Sequence, residues 1–279
     1  MRIVNTETIY DTIKEMAKTA VTHVDSIACQ LIKAASANEK NTTAKFALDT
    51  IIENNIIAAS ENVPSCQDTG MAVVFIDVGQ AVFLEGPLLE DIVNKAIKDA
   101  YEENFFRKSV LHPLSRQNTK TNTPAVIHTS VVPGEKVTVS FLAKGFGSEN
   151  MSRLYMLTPS QGIEGIIGSV VETVKAAGAN PCPPIFVGIG IGGTMEKACI
   201  LSKRALLRKA GQPSSDLDTA KLEQQILNEI NELNIGPQGF GGNNTALAVA
   251  IETYPTHIAG LPVAINIQCH AVRHLTKVL

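Results

Sequence analysis

No stretch of this sequence approaches the ~18 consecutive apolar residues of a membrane-spanning helix, so a membrane-embedded function is not expected. The 279 residues also lack an excess of positive charge: 24 lysines and arginines stand against 27 aspartates and glutamates, a net charge of −3. That leaves no electrostatic footprint for nucleic acid or for an anionic membrane surface. The start, M-R-I-V-N-T-E-T-I-Y-D, has neither the basic nor the apolar region of a secretory signal. Tryptophan is absent, and 44% hydrophobic with 18% charged residues is the balance of a soluble globular protein. A chain of this length buries roughly three quarters of its unfolded surface and needs no disulfide staples. Its five cysteines are odd in number and widely spread, which predicts reduced thiols in the cytoplasm rather than a disulfide framework.

Three of those cysteines have specific surroundings: Cys66 in P-S-C-Q-D-T-G, Cys182 in N-P-C-P-P and Cys269 in I-Q-C-H-A-V-R-H. A cysteine kept as a small core hydrophobe needs no carboxylate, amide and glycine turn beside it, nor prolines on both sides. A thiolate ligand needs a fixed, partly polar turn that aims its sulfur into a cavity and keeps it deprotonated. Cys29 in I-A-C-Q-L-I and Cys199 in E-K-A-C-I-L lie instead on helical apolar patterns and read as core residues. The three candidates are far apart in the chain, unlike the compact spacings of zinc ribbons and ferredoxins, so a self-contained structural metal site is not expected. Three thiolates without a fourth leave one coordination position open, on a 4Fe–4S cluster or on a zinc. Either would be a Lewis acid. Sulfur-only ligation favours iron–sulfur, while His270 and His274 keep zinc as the alternative.

The first third reads as helical. Ile9, Ile13, Met16, Ala17 and Ala20 recur at helical spacing, and a second apolar face runs through Phe46, Ile51, Ile52 and Ile56. A strand is predicted at 71–78, and Pro87 opens a helix with Leu89, Ile92, Val93, Ala96, Ile97, Ala100 and Tyr101 on one face. Strands follow at 124–132 and around Val137, Val139 and Phe141, then a helix at 163–177 and a strand at 185–190. Helices at 194–207 and 219–233 and strands at 246–253 and 261–267 complete the series before Cys269. No repeat or linker interrupts it. The expectation is one α+β domain over residues 1–279, a helical N-terminal layer packed with mixed and antiparallel sheets.

Gly188-Ile-Gly190-Ile-Gly192-Gly193 satisfies G-x-G-x-x-G between a strand and a helix, which taken alone suggests a dinucleotide site. That fingerprint also needs a second parallel strand ending near an acid. Here the helix runs into Ala210-Gly-Gln-Pro-Ser-Ser, and Asp216 and Asp218 lead into another helix. The alternative is that the glycines let backbone pass close to a helix or a cofactor.

Gln67 and Asp68 directly follow Cys66 in a turn closed by Gly70, and His257 follows the breaker Tyr254-Pro255 at the mouth of the last strand. Alone, such an Asp caps a turn and such a His lies on the surface. Beside a metal ligand they can deliver protons, which is what a lyase needs.

At these residues the chain resembles the class I, iron–sulfur fumarate hydratases, in particular the α subunit of the two-subunit form. The resemblance runs through P-S-C-Q-D-T-G, R-x-N-T-x-x-N-T-P-A-V-I-H across 116–128, and K-G-F-G-S-E-N-M-S across 144–152. It continues through N-P-C-P-P-x-x-V-G-I-G-I-G-G-T, I-G-P-Q-G-F-G-G-N across 235–243, and Q-C-H-A-V-R-H. The resemblance implies that Cys66, Cys182 and Cys269 ligate a 4Fe–4S cluster whose fourth iron coordinates a C4-dicarboxylate. It implies that Gln67, Asp68, Arg107, Gly147, Asn150 and His257 face substrate, with Asp68 paired to His257 on the acid side of the mechanism. Arg107, in F-F-R-K-S-V, matches an arginine for a substrate carboxylate; Arg116 could be mainly structural.

Two departures matter. The turn usually written K-G-G-G-S has Phe146 in its middle, which puts in doubt how closely that backbone approaches substrate. The chain also ends at Leu279, shortly after Cys269, whereas single-chain members continue into a domain that supplies the general base. A separate β subunit is therefore expected, in an α2β2-type or other homo-oligomeric assembly. The rival readings are the α subunit of L(+)-tartrate dehydratase, a metal-binding scaffold subunit without chemistry, and a nicotinamide oxidoreductase.

Overall fold

The computed structural model describes residues 1–279 and divides into two compact units. The first comprises Met1–Asp25, Asn55–Phe146 and Arg273–Leu279; the second comprises Ser26–Asn54 and Gly147–Val272. Both combine helices with a mixed sheet, and the α+β class is as expected. No helix is long and apolar enough to cross a membrane.

In the first unit, β1 (Arg2–Asn5) leads into α1 (Thr6–Thr22), where the Asn5 side chain accepts the Glu7 N–H at 2.8 Å as an N-cap. The strands β2 (Met71–Gly79) and β3 (Val82–Glu85) precede α4 (Leu89–Glu103). Then come β4 (Val126–Val132), β5 (Val137–Lys144) and, at the end of the chain, β10 (His274–Val278). The four-stranded sheet runs β10-β5-β2-β4, parallel between β2 and β4 and antiparallel elsewhere. Ile9, Ile13 and Met16 of α1 and Val93, Ala96 and Ile97 of α4 pack with Val74, Ile76, Val139 and Phe141 in one core. The helical periodicity of those positions is thus their burial pattern.

The second unit holds α2 (Ser26–Asn38), the part of α3 (Thr42–Glu61) up to Asn54, and the residues after Phe146 of the short α5 (Phe146–Glu149). It continues with β6 (Arg153–Leu157), α6 (Gly162–Ala177), β7 (Ile185–Gly192) and α7 (Met195–Ala205). Helix α8 (Leu217–Glu232) and strands β8 (Ala246–Tyr254) and β9 (Leu261–Gln268) follow. Its sheet runs β6-β9-β7-β8, with only β7 and β8 parallel. Alternation in β7 assigns its two faces. Val187, Ile189 and Ile191 meet α6 and α8 in the core, while Gly188 and Gly190 let the backbone of α7 press onto the opposite face.

The predicted helices and strands appear within a few residues of their expected bounds, but four short strands, β1, β3, β6 and β10, were not anticipated. The expected second apolar face also needs correction. Ile51 is buried, yet Phe46 is 72% and Ile56 59% exposed.

Candidate active site

In the first unit the chain leaves α3, turns at 62–70 and enters β2, so the P-S-C-Q-D-T-G segment sits at the head of a central strand. Cys66 is partly exposed and its sulfur accepts the main-chain N–H of Asp68 at 3.4 Å, while its S–H points to Gln67 Oε1 at 3.6 Å. Gln67 is exposed.

Asp68 is half-buried and its two carboxylate oxygens are used separately. Oδ1 accepts the Gly70 N–H at 2.9 Å, closing the turn, and Oδ2 accepts the Phe146 N–H at 2.8 Å. Gly70, at φ 82°, is needed here: a Cβ would lie 2.7 Å from the Ala143 carbonyl carbon. The Phe146 amide is therefore occupied by Asp68. At Gly145 a Cβ would come 3.0 Å from Arg273 Nη2 and 3.3 Å from Asp68 Oδ2, so both side chains lie close against this backbone.

Two buried cations lie in this region that the sequence did not single out. Lys144 and Arg273 are each 1% exposed. Lys144 Nζ donates to the Gly145 carbonyl at 3.3 Å, and Arg273 Nη1 donates to the main-chain carbonyl of Asp68. The sequence signal was present as a charge at the end of the apolar strand V-T-V-S-F-L-A-K and inside H-A-V-R-H. Tyr101, wholly buried, donates to the carbonyls of Thr69 at 2.7 Å and Gly70 at 3.1 Å; burial pushes its phenol pKa up. Arg107 is exposed, and its carbonyl accepts the Thr69 hydroxyl at 2.9 Å, so its backbone is tied to the same turn. Arg116 is also exposed, in the left-handed region at φ 58°.

In the second unit, Cys182 is exposed and adopts φ 55°, followed by the cis Pro183–Pro184 bond. A non-glycine residue in that region is held there at a cost of about 1 kcal/mol or more. Its N–H donates to the Ala179 carbonyl at 3.0 Å. Cys269 follows β9 and is partly exposed; its sulfur faces the Gln268 amide Nε2 at 3.7 Å. Gln268 is 2% exposed and also donates to the Ala271 carbonyl at 2.9 Å. Gly147 and Asn150 are exposed in and after α5, and a Cβ at Gly147 would meet only the Asn180 carbonyl oxygen, at 3.5 Å. His257 is exposed in the turn between β8 and β9, where Nδ1 accepts the Ala259 N–H at 3.2 Å.

The two control cysteines differ from expectation. Cys29 is partly exposed and Cys199 exposed, so Cys199 is not a core residue; it lies on the outward side of α7. None of the five cysteines forms a disulfide. Nowhere do three or more histidine, cysteine, aspartate or glutamate side chains gather closely enough to hold a metal ion. The donor chemistry of the three candidates nonetheless fits a sulfur-ligated cluster: each thiol lies in a connection outside the helices and strands, none is fully buried, and two face an N–H donor from their own turn.

The Gly188 and Gly190 positions answer the dinucleotide reading. A Cβ at Gly188 would lie 2.3 Å from the Ser202 carbonyl oxygen, and one at Gly190 2.0 Å from that of Ala198. These glycines admit a helix.

A family profile described as fumarate hydratase (Fumerase) matches residues 10–278. The chain is 43% identical over 276 residues to the "Putative L(+)-tartrate dehydratase subunit alpha" of Methanocaldococcus jannaschii, covering 96% of each protein. It is 33% identical over 242 residues to the L(+)-tartrate dehydratase subunit alpha of Escherichia coli strain UTI89, covering 85% of this chain and 80% of that one. The protein of that name from strain K12 is 32% identical over the same length.

Proposed function

Because the chain belongs to the fumarate hydratase family, a family of hydro-lyases, we propose that it is the α subunit of an iron–sulfur enzyme interconverting fumarate and (S)-malate. Cys66, Cys182 and Cys269 would hold a 4Fe–4S cluster, which when bound supplies a Lewis acid for the substrate hydroxyl and carboxylate. The observation that carries this reading is the Cys66–Asp68 turn, where a thiol and a carboxylate are fixed two residues apart by separate backbone donors.

Removing water from malate breaks a C–O bond and a C–H bond on adjacent carbons. The departing hydroxyl needs a proton, and Asp68 and His257 are assigned to that side. The Gly70 and Phe146 amides hold the Asp68 carboxyl group in one orientation, which is what supports its assignment. Arg107 is assigned to a substrate carboxylate by a charge-assisted contact. Its exposed guanidinium stands on a backbone pinned to the Asp68 turn. Gln67, Gly147 and Asn150 are assigned to substrate as well, Gly147 because little would fill the space beside it.

The relatives carry the name of an α subunit, which implies a separate β subunit; we assign the carbon base to that partner, in an α2β2-type assembly. A reducing cytoplasm suits five cysteines without a disulfide. The names of the relatives favour L(+)-tartrate as a second substrate reading. Tartrate has an additional hydroxyl, so the same elimination gives an enol that tautomerises to a keto diacid.

Anaerobic co-expression with the β subunit, followed by iron and sulfide analysis and parallel assays with fumarate, (S)-malate and L(+)-tartrate, tests both layers. About four irons and four sulfides per chain are expected, lost in Cys66→Ser, Cys182→Ser and Cys269→Ser and kept in Cys29→Ser and Cys199→Ser. Stoichiometric zinc without labile sulfide would overturn the cluster. A higher kcat/KM for tartrate than for malate would transfer the enzyme to the second reading.

A further inference from the structure

The loop from Gly236 to Asn244 belongs to none of the roles above, yet it grips the segment that carries Cys182. Gln238, at φ 52°, donates twice to the carbonyl of Pro183, from its main-chain N–H at 2.8 Å and from its side-chain Nε2 at 2.7 Å. Pro183 immediately follows Cys182. Gly239 packs against Ala179, where a Cβ would come within 2.5 Å of the Ala179 Cβ, and Ala179 is the residue whose carbonyl accepts the Cys182 N–H. The loop thus fixes the backbone on both sides of the thiol.

The loop is held in turn by one buried carboxylate. Glu39, 7% exposed, lies just after α2. Its Oε1 accepts the N–H groups of Lys40 and Asn41, each at 3.0 Å. Its Oε2 accepts the Asn243 N–H at 3.2 Å and the Asn244 side-chain amide at 2.7 Å. Four donors and no acceptor face this carboxyl, the arrangement an ionised carboxylate satisfies and a neutral amide does not. Gly242, at φ 101°, allows the approach, since a Cβ there would sit 2.8 Å from either Glu39 oxygen. Asn41 adds a bond from Nδ2 to the Phe240 carbonyl at 3.0 Å. The same turn closes on itself, with Gly241 N–H donating to Ile235 and Gly236 N–H donating to Thr245 Oγ1 at 3.1 Å.

We propose that Glu39 and Gln238 are positioning residues for Cys182: the Glu39 carboxylate sets the 236–244 loop, and Gln238 transmits that setting to the Pro183 carbonyl. The consequence for a cluster rests on the ligand role of Cys182 given above, whereas the mechanical coupling does not. The bonds of Glu39 go to groups at 40–41 and 243–244 and those of Gln238 to the Pro183 carbonyl, so loss of either should loosen one ligand while leaving the rest of the unit folded.

Two measurements separate the two ideas. The first is hydrogen exchange on the metal-free chain, followed in peptides covering 179–185, 236–244 and, as a reference, β5. Glu39→Gln presents an amide to four donors, and exchange in 236–244 and in 179–185 should rise together, by roughly tenfold for one charge-assisted bond lost. Gln238→Leu keeps the main-chain bond to Pro183 and, if Glu39→Gln fails to fold, serves as the second variant; it should open 179–185. β5 should remain as in the wild type. Opening of 236–244 with 179–185 unchanged, or opening spread equally to β5, would overturn the proposal.

The second measurement is the rate of iron release to a chelator from the anaerobic complex with the β subunit. Faster release from Gln238→Leu than from wild type is expected, with kcat per bound cluster preserved. Equal release rates would remove the link to the cluster. If wild type holds no iron, the cluster assignment fails while the exchange result still decides the coupling.

Discussion

The main-chain N–H of Phe146 donates to Oδ2 of Asp68 at 2.8 Å, while Oδ1 of the same carboxylate closes its own turn on Gly70 at 2.9 Å. The residue whose bulk departs from the family's glycine turn therefore contributes its amide to the catalytic candidate, and its side chain stands 46% exposed. Replacing Asp68 by Asn keeps the shape but must turn an NH2 group toward one of these two donors. We expect a loss of about 1–3 kcal/mol in stability and a fall in kcat of ~10²–10⁴, with iron and sulfide unchanged. Urea unfolding and turnover of the complex with the β subunit report the two effects separately. Wild-type kinetics would remove Asp68 from the mechanism.

Arg273 supports the same turn from the end of the chain through its donation to the Asp68 carbonyl. A lysine cannot reproduce a planar fork whose Nη1 reaches that carbonyl while Nη2 lies beside Gly145. Arg273→Lys should therefore destabilise the first unit by roughly 2 kcal/mol or more and lower kcat without a matching rise in KM. Equal stability of wild type and Arg273→Lys in urea would show that only the charge matters.

Much of this was legible because burial follows periodicity. The apolar faces of α1 and α4 and the runs of β2, β5, β7 and β9 lie in the two cores, as spacing requires. Strands β1, β3, β6 and β10 have only four or five residues each, too few to show alternation, and their pairing is supplied by distant segments such as β5 for β10. The three ligand candidates stood out through rigid or polar neighbours. Lys144, Arg273 and Glu39 did not, because a buried charge is stable only through partners that tertiary structure brings, and the residue type by itself indicates a surface. Cys199 failed in the opposite sense: Ala198 and Leu201 beside it are buried, while Cys199 itself is exposed on α7.

Although Cys199 is exposed, partial burial of its sulfur pushes the thiol pKa above the ordinary 9.0, with Lys203 opposing and Glu149 and Glu196 reinforcing the shift. At neutral pH it should alkylate more slowly than a small free thiol, since the thiolate is the nucleophile. Its rate should still be rising with pH above 9. Mass spectrometry of iodoacetamide-treated chain at several pH values checks this. A plateau below pH 9 would contradict it.

Burial pushes the Glu39 carboxyl up, but donors from Asn41, Asn244, Asn243 and Lys40 outweigh it and hold its pKa below the ordinary 4.5. A carboxyl with a folded-state pKa below its unfolded value contributes stability above the unfolded pKa and loses it as pH falls through the folded one. The wild-type chain should thus lose stability as pH drops below about 4.5. Glu39→Gln, less stable at neutral pH, should show a shallower acid slope. Urea midpoints from pH 7 down to pH 3 give both slopes, and identical slopes would show that this carboxylate is not ionised preferentially in the fold.

Gly190 and Gly147 make opposite predictions from the same measurement. A Cβ at Gly190 would lie 2.0 Å from the Ala198 carbonyl oxygen and 2.6 Å from the Ser202 nitrogen, both backbone atoms of α7. Backbone cannot rotate away as a side chain can, so Gly190→Ala must push α7 off the sheet. A loss of about 1–3 kcal/mol is expected, and NAD should neither bind the wild type nor rescue the variant. Helix α7 carries Lys203, which pairs with Glu149 inside the Gly147–Asn150 segment, so a drop in turnover should accompany the displacement. Gly147→Ala meets only the Asn180 carbonyl oxygen at 3.5 Å, an ordinary contact. Its stability should change by no more than about 0.5 kcal/mol, while KM rises if the space beside it is where substrate lies. A stable Gly190→Ala would show that α7 is not held by those glycines, and unchanged kinetics for Gly147→Ala would take Gly147 out of the substrate site.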